Sequence, residues 1–193
     1  STTIYFKYGG QMDYWGAVVS PGQSFPLWFN VSIEGAAMRN GIAYYVGQSQ
    51  LISDPTKMAE GYTAAADSAT GNVVWATRWG AQTELYHHNI AVNDSGIYHF
   101  RFDYFNSRDW IILRYDLAGN LLWTYQDATR SGGFFSAITD NAAVYAMGGT
   151  SSGYDLTKIT NDGTLVWQTS VTGTSLALFN NVLFVADGSN VIH

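Results

Sequence analysis

Two adjacent histidines, His87 and His88 in "ELYHHN", are the side chains of this sequence best suited to bind a transition metal or move a proton near neutral pH. In extended backbone, neighbouring side chains point to opposite sides, so the two cannot face one ion together. Asp103, Asn106 and Asp109 in "DYFNSRD" offer oxygen ligands to a hard cation, but the glycine and bidentate glutamate of a dedicated calcium loop are missing. With no cysteine in the chain, disulfides and thiolate metal or redox sites are excluded. Neither a G-x-S-x-G elbow, a glycine-rich phosphate loop nor an H-E-x-x-H helix occurs. The expectation is no catalytic residue, no metal site and no cofactor.

Recognition chemistry remains. Trp79, Tyr86, Tyr104, Phe105 and Phe134 carry rings whose faces suit the C–H face of a sugar or the centre of a protein interface. Arg108 and Arg130 add planar guanidinium groups of the kind enriched at interfaces. These seven residues form the candidate binding set. A formal charge of -6, with nine Lys and Arg scattered singly, leaves no basic stripe for nucleic acid. No run approaches the roughly 18–20 apolar residues of a membrane span, and "STTIYFKYGG" lacks the basic start and apolar core of a signal peptide. A soluble chain with no membrane insertion is expected, its compartment open.

The elements that position these residues are strands. Seven Trp, thirteen Tyr and ten Phe stand among β-branched residues, Ser, Gly and Asn, a composition that suits pleated, half-buried sheets. Trp28, Trp75, Trp123 and Trp167 recur 47, 48 and 44 residues apart, and each is followed by a tight-turn sequence such as "RNG", "NDSG" or "FNN". One period reads as four antiparallel strands at 90–92, 97–102, 110–115 and 121–125, the size of one propeller blade. The predicted fold is therefore all-β, a single β-propeller domain over 1–193 of about four to five four-stranded blades. Its repeats cover 36–76, 90–125 and 136–169, with partial ones at 1–29 and 175–193. Three strands at either end leave the ring incomplete or completed by assembly, because raw strand edges invite pairing.

Ala65, Asp67, Thr70, Gly71 and Trp75 match A-x-D-x-x-T-G-x-x-x-W, and here the chain resembles the pyrroloquinoline-quinone-like (PQQ-like) β-propeller repeat family. In the later copies Asp116 and Thr160 stand seven residues before their Trp rather than eight, and the first copy has Ser24 in place of the turn glycine. The resemblance implies that Trp28, Trp75, Trp123 and Trp167 dock between neighbouring blades. It also brings in quinone-dependent dehydrogenases, which are larger propellers with calcium beside the cofactor and, in many, an adjacent Cys pair. This chain has no Cys and about half the blades, so it is expected not to be an enzyme. Non-catalytic propellers of this kind serve in envelope machineries and virions, so the expected function is a structural, protein-interaction scaffold. A place outside the cell or in a virus particle fits that reading. The alternative is a lectin-like glycan binder.

Antiparallel alternation sorts the connections. The short turns share one face, and the long connections 47–61, 76–89, 103–109 and 129–135 share the other, which is where the candidate binding set is expected.

Overall fold

The computed structural model describes residues 7–8, 11–12, 29–51, 60–79, 85–103, 109–130 and 132–186. Sixteen strands and no helix occur among them. The first sheet is β3 (Phe29–Arg39), β4 (Ile42–Leu51), β5 (Glu60–Asp67) and β6 (Val73–Trp79). The second is β7 (Leu85–Asn93), β8 (Gly96–Asp103), β9 (Trp110–Tyr115) and β10 (Leu121–Asp127). The third is β11 (Phe134–Thr139), β12 (Ala143–Thr150), β13 (Gly153–Thr160) and β14 (Leu165–Val171). β15 (Ser175–Phe179) pairs with β16 (Val182–Ala186), and β1 (Lys7–Tyr8) with β2 (Gln11–Met12). Every pairing is antiparallel and joins strands consecutive in sequence.

Phe29 opens β3 opposite Leu51, so the strand expected to start near Ala36 begins well before it. The partial repeat expected at 1–29 falls, apart from residues 7–8, 11–12 and 29, outside the described residues, and so does Trp28.

The first strand of each sheet packs beside the first strand of the next: β3 by β7, β7 by β11, β11 by β15. Strands inside a sheet are covered on both faces, and their sequences show it. β9 reads WIILRY and is buried throughout, whereas the outermost β10 reads LLWTYQD and alternates between half-buried and exposed. The cores lie between sheets. Tyr44, Ile97 and Leu113 fill the space between the first two, Phe100, Trp110 and Ile159 that between the second and third, and Val185 of β16 packs with Tyr145 and Met147 of the third. A buried polar contact also crosses the first gap, Thr63 Oγ1 with His99 Nδ1 at 2.9 Å.

The repeated tryptophan and its turn glycine meet across sheets. Trp75 Nε1 donates to the Leu117 carbonyl at 3.0 Å, and its ring lies where a Cβ on Gly119 (φ +89°) would sit 2.6 Å away. Trp123 Nε1 donates to the Asn161 carbonyl at 2.9 Å, with its ring 3.2 Å from the Cβ position of Gly163 (φ +91°). The glycine thus does two jobs, adopting the left-handed conformation and leaving room for the ring of the preceding sheet.

Each of these turns is held by a carboxylate. Asp67 Oδ1 accepts the Thr70 amide at 2.8 Å and the Thr70 hydroxyl at 2.9 Å. Asp116 accepts the side-chain amide of Asn120 at 2.8 Å and its backbone amide at 2.9 Å, and Asp162 accepts the Thr160 hydroxyl and the Thr164 amide. These bonds hold all three carboxyls below the usual 3.8: the Thr70 amide first for Asp67, the Asn120 side chain for Asp116, the Thr160 hydroxyl for Asp162. A carboxyl with a lowered folded pKa contributes stability above its unfolded value and loses it as pH falls through the folded one. The thermal midpoint is therefore expected to hold between about pH 7 and 5 and to drop below about pH 4. Asp116→Asn combined with Asp162→Asn should flatten that acid limb in circular-dichroism melts; an unchanged slope would assign it to other carboxyls.

Candidate functional site

The connection from β10 to β11, residues 128–133, shows how the sequence builds the long-loop face. Asp127 Oδ1 accepts the Thr129 amide at 2.9 Å and also its hydroxyl, which turns the chain. Burial pushes the Asp127 carboxyl up, but the Thr129 hydroxyl and amide and the Arg130 charge outweigh it, and the net shift is downward. Arg130 ion-pairs with Asp127 Nε to Oδ2 at 3.3 Å and also with Asp155 of β13, which is buried and accepts Ser170 Oγ at 2.8 Å. Arg130 thereby ties the second sheet to the third.

The glycines that follow let the chain press onto the third sheet. Trp110 Nε1 donates to the Gly132 carbonyl, and the Gly149 amide to the Gly133 carbonyl at 3.0 Å. A Cβ on Gly132 would lie 2.6 Å from the Gly149 backbone. Phe134 then turns inward, buried with its ring 4.6 Å from Trp110 and 5.3 Å from Phe100. As a residue of the binding set Phe134 needs correcting, because its ring is core. Its neighbour Phe135 points the other way, 45% exposed and edge-on to Tyr154 at 5.4 Å.

Trp79 closes β6 opposite Gly61, and Tyr86 lies in β7 opposite Phe102, so both stand on strands where a loop was expected. The ladder runs that far because it keeps backbone groups paired beyond the core. The side chains of Trp79 and Tyr86, and the whole of Tyr104, Phe105 and Arg108, lie outside the described residues. The register of β7 shifts between Tyr86 and Asn89, the place of His87 and His88. Among the described residues no three His, Asp or Glu side chains cluster to hold a metal, and no helix is long and apolar enough to cross a membrane. Arg114 is buried, stacked 5.5 Å from the Tyr98 ring and bonded to Ser95, which is a packing role.

The outer strands carry repeated exposed apolar positions that the candidate set did not include. Val74, Leu122 and Val166, each immediately before its Trp, are 53%, 49% and 49% exposed. They occupy one equivalent position on β6, β10 and β14, the last strands of three successive sheets. Leu121 and Leu165 are exposed as well. The signal was in the sequence as "VVW", "LLW" and "LVW": an apolar pair repeated on a strand whose outer edge faces water.

No family model and no curated protein matches the chain. Solved structures do resemble it. BamB from Moraxella catarrhalis is 16% identical with a TM-score of 0.54, over 81% of this chain and 40% of that one. Quinohemoprotein alcohol dehydrogenase from Comamonas testosteroni is 14% identical with a TM-score of 0.52, over 86% of this chain and 24% of that one. Both are β-propeller folds. The fold of this chain is a β-propeller. It spans less than half the length of either neighbour, and the likeness concerns the arrangement of blades, with the sheets above as blades one to three.

Proposed function

We propose that this chain is a non-catalytic propeller of PQQ-like repeats that serves as a protein-interaction scaffold in a larger assembly. The observation that carries the reading is the repeated exposed apolar position of Val74, Leu122 and Val166 on the outer strands. A lone exposed apolar residue means little, but the same apolar position exposed on the outer strand of three successive blades, each an edge able to pair, favours being covered. Arg130, Asp127 and Asp155 neutralise one another between two blades, which gives the charged groups of that connection a structural role. The Asp67, Thr70, Gly71 turn and the Trp75 and Trp123 contacts support the PQQ-like reading of the repeat.

The test compares two variants as baits. Val74→Thr with Leu122→Gln and Val166→Thr should keep the melting curve and lose the proteins retained specifically by the wild type, while Phe135→Ser retains them. The reverse pattern would move the interaction to the long-loop face. Specific retention of a glycan on an array would favour the lectin reading, and quinone-dependent alcohol oxidation in the presence of calcium would overturn the non-catalytic one.

A further inference from the structure

The exposed apolar position on each outer strand coincides with a break in the ladder. In the first blade Ala66 pairs with Val73 and Ala65 with Trp75, so Val74 between them is skipped. Leu122 is skipped in the same way between Leu121 and Trp123, and Val166 between Leu165 and Trp167. A bulge re-aims the side chain it carries and interrupts pairing locally, so contact at these points is made by side chains rather than by an added strand.

Each bulge follows a turn that carries a carboxylate. Asp67, Asp116 and Asp162 stand in the turns that lead into β6, β10 and β14. The short turns share one end of the blades and touch there: the Ser68 amide donates to the Gly41 carbonyl at 2.9 Å, and the Asn161 amide to the Ala142 carbonyl at 3.1 Å. Asp162 is exposed, and Asp67 and Asp116 are half-buried. Among the described residues no Lys or Arg pairs with any of the three, whereas Asp94, in the turn from β7 to β8 at the same end, is paired with Arg39. The bonds that Asp67 and Asp162 accept within the described residues all go to Oδ1, which leaves Oδ2 of each for another donor. Each of three blades thus offers one uncompensated negative charge and one exposed aliphatic side chain at the same end of its outer edge.

We propose that this end of the outer edges docks a protein segment that carries Lys or Arg together with apolar side chains. The inference rests on the reading above of Val74, Leu122 and Val166 as covered in an assembly, and it adds the chemistry of the partner. The negative charge repels nucleic acid and anionic lipid and attracts a cationic partner. Exposed ion pairs by themselves contribute little, so the partner must also bring apolar area to the three aliphatic side chains. The turn bonds hold all three carboxyls below their usual value, so the charge persists in mildly acidic solution.

The probe is a fluorescent peptide of alternating Lys and Leu, compared by anisotropy on the whole chain with peptides of alternating Lys and Ser and of alternating Glu and Leu. The Lys/Leu peptide should bind, the Glu/Leu peptide should not, and the Lys/Ser peptide should bind about tenfold more weakly. Asp67→Asn with Asp116→Asn and Asp162→Asn keeps the side-chain oxygen that each turn uses. It should weaken Lys/Leu binding about tenfold in a chain still folded by circular dichroism, and about 0.5 M salt should remove the same part of the affinity from the wild type. Carbodiimide coupling of the bound peptide should place its lysines on Asp67, Asp116 or Asp162, as read by peptide mass. Coupling confined to other carboxyls, or a triple Asn variant that binds as tightly as the wild type, would overturn the proposal. So would equal binding of the Lys/Ser and Lys/Leu peptides, which would reduce the attraction to charge alone. The variant Val74→Thr with Leu122→Gln and Val166→Thr separates this inference from the reading beneath it. If that variant loses the proteins retained by the wild type while the Asn variant keeps them, the exposed positions are an interface whose partner is not cationic; if both variants keep them, both readings fail.

Discussion

Trp123→Ala is expected to lower the unfolding free energy by about 3 kcal/mol, the lower end of the usual range for deleting a large aromatic, because the ring is half-buried against the core. The ring is packed against the core between the second and third blades, 6.0 Å from the Tyr98 ring and in contact with the Gly163 turn. Two rigid sheets cannot collapse into the gap, so the loss includes a cavity as well as transfer. Trp123→Phe should recover part of it, keeping ring area and losing the Nε1 bond to the Asn161 carbonyl, worth about 1 kcal/mol. Leu122→Ala next door should cost about 0.5 kcal/mol or less, because half of that side chain is already in water. Urea melts by circular dichroism decide it; equal losses at 122 and 123 would mean that the ring does not bear on the gap.

The fold was legible because its local rules agree with one another. Asn40 and Gly41 at φ 50° and 76°, and Asn180 and Asn181 at 48° and 61°, are the left-handed residues that two-residue hairpin turns require, and their types announce it. The interval between tryptophans announces the blade. Less legible was how far each ladder runs. β4 continues to Leu51 and β6 to Trp79 although Gly47 and Arg78 read as loop, since backbone pairing extends past the last residue that the core demands.

The candidate surface was harder for a different reason. Of the pair Phe134 and Phe135, alternation says that one faces in and one out, but it does not say which. Here a register irregularity between Phe134 and Ser136 and the approach of Gly132 to Gly149 decide it, and both are properties of packing between segments far apart in sequence. Arg130 likewise reads as a free cation until Asp155, 25 residues on, is placed beside it. The exposed apolar positions stand in the sequence as three apolar pairs before Trp, and strand positions next to a core Trp read as core until the outermost strand of a blade is known. Among the turn asparagines, Asn40 serves the left-handed backbone, while Asn93 also reaches the next blade.

Replacing Asn93 by Ala is expected to cost about 2–3 kcal/mol, far more than a turn residue usually does, because several buried bonds are lost together. Asn93 is buried at the end of β7, and its two ends do different work. Oδ1 accepts the amides of Ser95 at 2.9 Å and Gly96 at 3.0 Å and the Ser95 hydroxyl at 2.8 Å, which closes its own turn. Nδ2 donates to the Asp140 carbonyl at 2.7 Å and to Thr139 Oγ1 at 3.0 Å, both in the next blade. Asn93→Asp separates the two roles. It keeps every acceptor bond of the turn and replaces the donor with an oxygen facing the Asp140 carbonyl, so if the contact between blades carries the stability, the loss should match or exceed that of Ala at pH 7. Protonating the introduced carboxylate restores a donor, and the part of the loss specific to Asn93→Asp should shrink as pH falls, the opposite of the general acid limb set by Asp67, Asp116 and Asp162. An Asn93→Asp variant as stable as the wild type at pH 7 would place the whole effect in the turn and leave the two blades held by Trp123, Arg130 and their shared core.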